Sequence, residues 1–313
     1  MNTNRYFLSL ITIFFISSRI QSHSDRNSTD GGENRLYKLR LNPLAGTKYD
    51  YDVSNESEFK LDVDGKKVDN FNNAEARISY FIDKDSSGDL ILHMQYTKIR
   101  LHSKTGDTES NLDAANAAIS TDPTERMLGF VKDAKITAVL SPVGEMRSLS
   151  GAREIVARFM DQFNVVDAGA RQAVQQKWNS MVDGDLIAGN MQQLFRIFPD
   201  SGVRIGDKWM LNSTQKGEFA FKEKNEYRLT AIHDGIAHIE SEGEITSDSS
   251  VISMMGYQVA PDLKGKQHGS FQMEMNTGML LSATITNSVE GTIQVQARDI
   301  PVTIESSVKM NRK

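Results

Sequence analysis

The segment Asp83-Lys84-Asp85-Ser86-Ser87-Gly88 offers alternating oxygen ligands and then a glycine at the sixth position, the opening of a loop suited to a hard cation such as calcium. The match then fails. The twelfth position, where a bidentate glutamate would close the site, is Met94, and the flanks Ile78–Ile82 and Leu90–Tyr96 alternate like strands instead of helices. A solvated hairpin turn accounts for the same residues.

Histidines are the next candidates. His93 and His102 fall in strands with no fixed geometric relation, whereas His233 and His238 flank Asp234-Gly235. A two-residue turn there places both imidazoles on one face as diagonal neighbours, ~7–8 Å apart between Cα atoms. A shared metal would need further ligands, and no nearby carboxylate is aimed at the pair, so no metal site is expected. The paired acids Asp62/Asp64 and Glu242/Glu244 could support glycosidase-type chemistry if burial separated their pKa values. Beside glycine turns on alternating strands they read as the wet face.

Nucleophile motifs are absent. The chain has no G-x-S-x-G elbow, no P-loop and no G-x-G-x-x-G after a strand. It has no cysteine, which removes disulfides, thiolate nucleophiles, zinc–thiolate sites and iron–sulfur ligation together. No catalytic residue and no cofactor is assigned, and the expectation is a protein that is not an enzyme. Methionines cluster late, at Met254, Met255, Met273, Met275 and Met279. Methionine is soft and adaptable, and it lines loose cores and promiscuous apolar cavities alike. Core packing explains these residues; if they instead floor a pocket beneath helices, the ligand-binding candidates are Phe219, Phe221, Phe271, Met273 and Met275.

The elements that would position these residues follow from hydrophobic period. From Leu36 the period is two: Tyr49/Tyr51/Val53, Phe59/Leu61/Val63, Ile78/Tyr80/Ile82, Leu90/Leu92/Met94/Tyr96 and Ile99/Leu101 alternate with polar neighbours. That pattern puts one face on a core and the other in water, as in antiparallel sheets. An alanine-rich stretch between Asn111 and Leu128 predicts one or two short helices with Pro123 near a start, and strands resume from Phe130. Residues 151–198 switch to helical period in three stripes: Ile155 to Phe163, Ala170 to Met181, and Ile187 to Phe198 before Pro199. Each stripe is apolar on one side, so each must lie on a surface, and the sheets supply it. From residue 199 the β pattern returns to the end of the chain.

The two β-rich segments look alike. Gly46-Thr47-Lys48-Tyr49 parallels Gly206-Asp207-Lys208-Trp209, and Gly129 through Met146 parallels Gly269 through Leu280. Duplication gives the expected organisation: signal peptide 1–24, flexible leader 25–35, first β-rich repeat 36–150, helical segment 151–198 and second repeat 199–313. The expected fold class is α+β, predominantly antiparallel β, with two related curved, half-barrel-like sheets and helices between them.

Asn4-Arg5 followed by the apolar run Tyr6 to Ile16 and polar Ser17-Ser18-Arg19 has the form of a signal peptide, with cleavage expected before Asp25. The run is too short to cross a ~30 Å hydrocarbon core, and no other segment is long enough to span. The alternative is an anchor that stays attached. Export to the periplasm or beyond is therefore expected, without helical membrane spanning after cleavage and without a cysteine-linked lipid anchor. The net charge is −5, and removal of Arg5 and Arg19 with the signal leaves 34 basic against 41 acidic residues. A weakly acidic body without a Lys/Arg cluster lacks the footprint that phosphate backbones demand, which argues against nucleic acid as a partner.

Leu39-Arg40-Leu41-Asn42-Pro43 with Gly46 and Tyr49, together with Ile205-Gly206-Asp207-Lys208-Trp209, resembles an uncharacterised family of exported, often lipid-anchored Bacteroidetes proteins. This chain departs from the lipid-anchored members in lacking the anchor cysteine. A curved sheet covered by helices is also similar to the bacterial lipoprotein-carrier half-barrel, which implies an acyl-chain ligand by analogy of architecture alone. Three functional classes follow. The first is an exported binding protein holding an apolar ligand such as a lipid or acyl chain. The second is a structural or interaction module of the cell envelope with a solid core, without a cavity of ~300 Å³ or more. The third is a hydrolase, which needs two buried acids converging in a cleft.

Overall fold

The computed structural model describes residues 35–162, 169, 171–172, 184–215, 220–254 and 257–313, apart from 64, 249, 296 and 297. The signal segment, nearly all of the leader, most of the helix expected over Ala170–Met181, and Phe219 lie outside the described residues.

Alternating side chains make thirteen strands among the described residues. These are β1 (Lys48–Val63), β2 (Lys66–Lys84), β3 (Leu90–Thr105), β4 (Thr108–Asp113), β5 (Ile136–Leu140), β6 (Met146–Ser150), β7 (Lys208–Gln215), β8 (Phe221–His233), β9 (Ile236–Ser247), β10 (Ile252–Met254), β11 (Tyr257–Glu274), β12 (Leu280–Val295) and β13 (Arg298–Arg312). They form one sheet in the order β6-β5-β3-β2-β1-β13-β12-β11-β9-β8-β7, with β4 beside β3 and β10 beside β11. The fold is predominantly antiparallel β, as the alternation predicts. The two β-rich segments do not make two sheets, however. They join edge to edge where β1 pairs with β13 from Tyr51↔Arg312 to Leu61↔Val302. Matching inward residues at this seam, Val53 opposite Met310 and Phe59 opposite Ile304, let each segment cover an edge that would otherwise be left unpaired.

Each segment is a meander that begins in the same way. Gly46 and Gly206 both take a left-handed backbone, φ +80° and +92°. The Gly46 amide donates to the Ile82 carbonyl while the Ile82 amide donates to Thr47; the Gly206 amide donates to Leu229 while the Leu229 amide donates to Asp207.

Among the fully described segments, three α-helices cover the concave side: α1 (Pro123–Lys132), α2 (Arg153–Gln162) and α3 (Gly184–Phe195). Asp122 caps α1 by accepting from the amides of Thr124 and Glu125, and Pro123 occupies the first helical position, where a missing N–H costs nothing. Phe130 does not open a strand. It belongs to α1, where Met127, Phe130 and Val131 recur at helical spacing and Phe130 packs edge-on against Phe159 of α2, 5.5 Å between ring centres. The strand starts later, at Ile136.

The sheet rolls far enough that its two free edges, β6 and β7, both pack against α3. The segment after that helix is stitched to both sides of the gap. Arg196 donates to the Val143 carbonyl at the β5–β6 turn, and the indole of Trp209 on β7 donates to the Ile197 carbonyl at 3.1 Å. The helices' apolar faces thus join a core drawn from both segments, including Tyr51, Tyr80 and Leu92 from the first and Leu229, Phe271 and Met310 from the second. A smaller cluster, among it Phe59, Phe221, Ile245, Leu263, Val289 and Ile304, lies toward the opposite strand ends.

Candidate functional site

The inward face of β1 carries Tyr51 and Val53, then Asn55 and Ser57, then Phe59 and Leu61. The apolar sequence is interrupted by polar residues without any change of face. The same interruption recurs at the same height on neighbouring strands. Ser57 stands opposite Asn72 of β2 and Ser306 of β13; Ser306 stands opposite Asn287 of β12; and Asn287 stands opposite Gln267 of β11. Gln267 then faces Gly243 of β9, which faces Asn225 of β8. Seven adjacent strands therefore carry one polar row across the concave face, with glycine at one position. A Cβ on Gly243 would fall 1.6 Å from Oδ1 of Asn225, so the glycine is what lets that amide lie flat on the sheet. The row separates the two hydrophobic clusters.

These side chains are buried, Asn287 and Gln267 at 3% exposure. Both polar atoms of the Asn287 amide have no hydrogen-bond partner within the protein, and the same holds for Nε2 of Gln267, Oδ1 of Asn225, and the hydroxyls of Ser306 and Ser241. A buried group left unpaired costs about 1–3 kcal/mol, and native proteins carry few of them. Six such atoms on one face are a concentration that packing alone does not explain.

The row's electrostatics are simple. Among the described residues no lysine or arginine is buried, and Glu223 is the one buried acid. It lies one inward position from Asn225 on β8, accepts from the Gln193 amide of α3 at 3.0 Å and from Ser213 of β7 at 2.8 Å, and is pushed up to about 7 by burial. No second buried carboxylate joins it among the described residues.

Beside Asn55, one inward position from Ser57 on β1, an apolar cavity of about 150 Å³ lies between β1–β3 and the two helices α1 and α3. Val53, Ala76, Tyr80 and Met94 form its floor, and Met127 and Met191 its roof. The open depressions at β7 and at the β3–β4 hairpin are larger, about 360 and 320 Å³, but they are lined largely by polar residues such as Asp200, Ser201 and Asp207, or Arg100, His102 and Asp113.

Of the ligand-binding candidates from the sequence, Phe271 and Met273 are buried in the larger core with Met275 packed against it, Phe221 is buried in the smaller core, and Phe219 lies outside the described residues. None of the four described residues lines the cavity, which belongs to the first segment and the helices. The sequence reading missed the polar row because it assigned polar residues on strands to the wet face. The available signal was parity. Asn55 and Ser57, and likewise Asn287 and Ser306, keep the register of the apolar residues on either side of them.

The other candidates behave as surface features. Asp85 folds its carboxylate onto its own turn, accepting from the amides of Ser87 and Asp89. Asp234-Gly235 is a two-residue turn with both backbones left-handed, and it sets the His233 and His238 rings 5.9 Å apart on one face. No cluster of three or more metal-ligating side chains occurs among the described residues. Glu242 and Glu244 are exposed, and Asp62 accepts from the Gly65 amide in a turn.

A model for a family of unknown function (DUF6263) matches residues 87–280, which run from the β2–β3 turn to the start of β12. No curated protein matches the chain. Among solved structures, lipovitellin, from work on its lipid–protein interactions, superposes with a TM-score of 0.51 at 11% identity, covering 86% of this chain and 25% of its own. The chain thus spans a quarter of the lipovitellin chain that it matches, and the likeness is one of fold. An outer membrane channel from Pseudomonas putida F1 gives a TM-score of 0.24 at 6% identity, over 92% of this chain and 100% of the channel. DynF of the dynemicin pathway of Micromonospora chersina gives 0.22 at 7% identity, over 98% and 95%. Scores this low carry no argument.

Proposed function

We infer a role for a chain that belongs to the family of unknown function DUF6263: it is an exported, non-enzymatic binding protein that holds an apolar ligand, such as a lipid or acyl chain, inside its rolled sheet. The observation that carries this reading is the apolar cavity between β1–β3 and the helices α1 and α3. A helix-roofed concave sheet is the arrangement in which an acyl chain can be withdrawn from water at ~0.8 kcal/mol for each buried CH₂. The fold shared with lipovitellin, a protein studied for its lipid–protein interactions, supports the same reading. The signal-like start of the chain supports export. A lone buried acid, with no buried carboxylate partner among the described residues, favours binding over acid–base hydrolysis.

The cavity's 150 Å³ is about half the ~300 Å³ at which drug-sized ligand pockets begin, so occupancy by a long chain requires α1 and α3 to move outward. That volume is also the observation favouring the second reading, a solid-core interaction module of the cell envelope. Native mass spectrometry of the purified full chain, followed by organic extraction, separates the two. A carrier shows a mass excess that extraction removes and identifies as an amphiphile. A ligand-free mass, with no uptake of added fatty acid, overturns the carrier and leaves the interaction module.

A further inference from the structure

The cavity accounts for an apolar chain; it leaves the polar row unexplained. The row lies between two hydrophobic clusters, so the concave face reads apolar, polar, apolar along its strands. We propose that the row Asn72–Ser57–Ser306–Asn287–Gln267–Asn225 recognises the uncharged, hydroxyl- or amide-bearing headgroup of an amphiphilic ligand, whose chain lies against the apolar surface beside it. The inference rests on the carrier reading and names the ligand's chemical class.

Three observations carry it. The first is the set of buried atoms that find no partner in the protein, Oγ of Ser306, Nε2 of Gln267, Oδ1 of Asn225 and both polar atoms of the Asn287 amide, whereas Asn72 at the row's end donates to Asn70. Amides supply both donors and acceptors, and these match hydroxyls and amides, which do the same. The second is charge. Phosphate and carboxylate heads are normally held by arginine or lysine. No cation is buried among the described residues, and the one buried ionisable group besides tyrosines is an acid, Glu223, one inward position from the row. An anionic head finds no buried cation to pair with there, whereas a neutral one needs none. The third is continuity. Asn55, which lines the apolar cavity, is the inward neighbour of Ser57 on β1, so the cavity adjoins the row near its Asn72–Ser57 end.

The test uses the purified full chain stripped of lipid, and three probes with one shared chain: octyl glucoside, octyl phosphate and octanoate. Binding is measured by calorimetry below micelle-forming concentrations. The glucoside binds at least about tenfold more tightly than either anion. Asn287→Leu and Gln267→Leu reduce that preference to within about threefold while circular dichroism and thermal midpoint show an intact fold. Ser306→Ala, which removes one hydroxyl without adding volume, weakens glucoside binding by roughly three- to tenfold, the worth of one hydrogen bond. Equal binding of all three probes by the unaltered protein, or a preference that survives the leucine substitutions, overturns the headgroup site and leaves the carrier standing. Binding of no probe overturns both.

Discussion

The side-chain amide of Gln193 on α3 donates to the buried carboxylate of Glu223 on β8 at 3.0 Å, and that carboxylate's other oxygen accepts from Ser213 on β7. One acid thus ties the helix that spans the sheet's free edges to the two strands beside one of them. Burial outweighs both hydrogen bonds and raises its pKa from 4.5 to about 7. A raised acid favours the protonated state in the folded protein, so the folded chain holds more protons than the unfolded chain between pH 4.5 and 7. Stability therefore falls as pH rises through that window and levels off above it. The full loss is of order 3 kcal/mol. Asp52, lowered to about 2 chiefly by its hydrogen bond from Arg77, acts only under more acid conditions and does not mask the effect. Urea unfolding at pH 5 and pH 8 measures the difference. Glu223→Gln keeps an acceptor for Gln193 and removes the titration, so the variant's stability should be flat across the window. A slope unchanged by that substitution assigns the effect elsewhere.

Gly278, in the β11–β12 turn, sits beneath the backbone of the lead-in segment. Its φ is +67°, and a Cβ there would come 2.0 Å from the Arg40 carbonyl oxygen. Gly65, in the β1–β2 turn, has a similar φ of +80° but open space around it. Gly65→Ala should cost only the left-handed backbone penalty, about 1–2 kcal/mol. Gly278→Ala should cost that and the displacement of Arg40–Leu41 in addition. The expected gap between the two denaturation midpoints corresponds to at least about 1 kcal/mol, and equal losses would falsify the close packing of residues 39–41 on this turn.

Asp122 holds the start of α1 by accepting from Thr124 and Glu125. Asp122→Ala should cost about 1 kcal/mol. Because Met127, Leu128 and Val131 of the same helix line the cavity, the loosened roof should also speed exchange of a bound fatty acid, followed by the decay of a fluorescent acyl probe after dilution. Asp122→Asn retains the capping oxygen and should restore the slow rate. Faster exchange in both variants alike ties the effect to something other than the cap.

Period was a sufficient guide wherever a strand or helix met the usual two solvents, core and water. The hairpins at Asp83–Gly88 and Asp234–Gly235, the one-sided helices and the parallel between Gly46 and Gly206 could all be read on that basis. It failed in two kinds of place. The start of β2, Val68 to Ala76, has Asn70 and Asn72 on its buried face and Asn73 and Glu75 on the other, so it shows no contrast to read. Phe130 and Val131 fitted either period, and the contact that settles them, Phe130 on Phe159, is made with a residue far along the chain. The joining of both segments through β1 and β13 was hidden for a related reason. Strand pairing between residues such as Tyr51 and Arg312 depends on how the sheet rolls, and no local pattern encodes it.

Ala76 lines the cavity from β2, opposite Val53 of β1. Lengthening it to leucine fills space with methyl groups while leaving the strand register alone, and the result depends on what the cavity is for. Filling an apolar void commonly stabilises a domain by about 0.5–2 kcal/mol. A cavity kept open for a ligand loses capacity at the same time. Ala76→Leu should therefore raise the thermal midpoint of the lipid-stripped protein by a few degrees, and lower the amount of co-purifying amphiphile several-fold. The same substitution at Ala283, buried on β12 away from the cavity lining, meets close packing and should be destabilising without a specific loss of ligand. A gain in stability at Ala76 with ligand retained in full would place the ligand somewhere other than beneath α1 and α3.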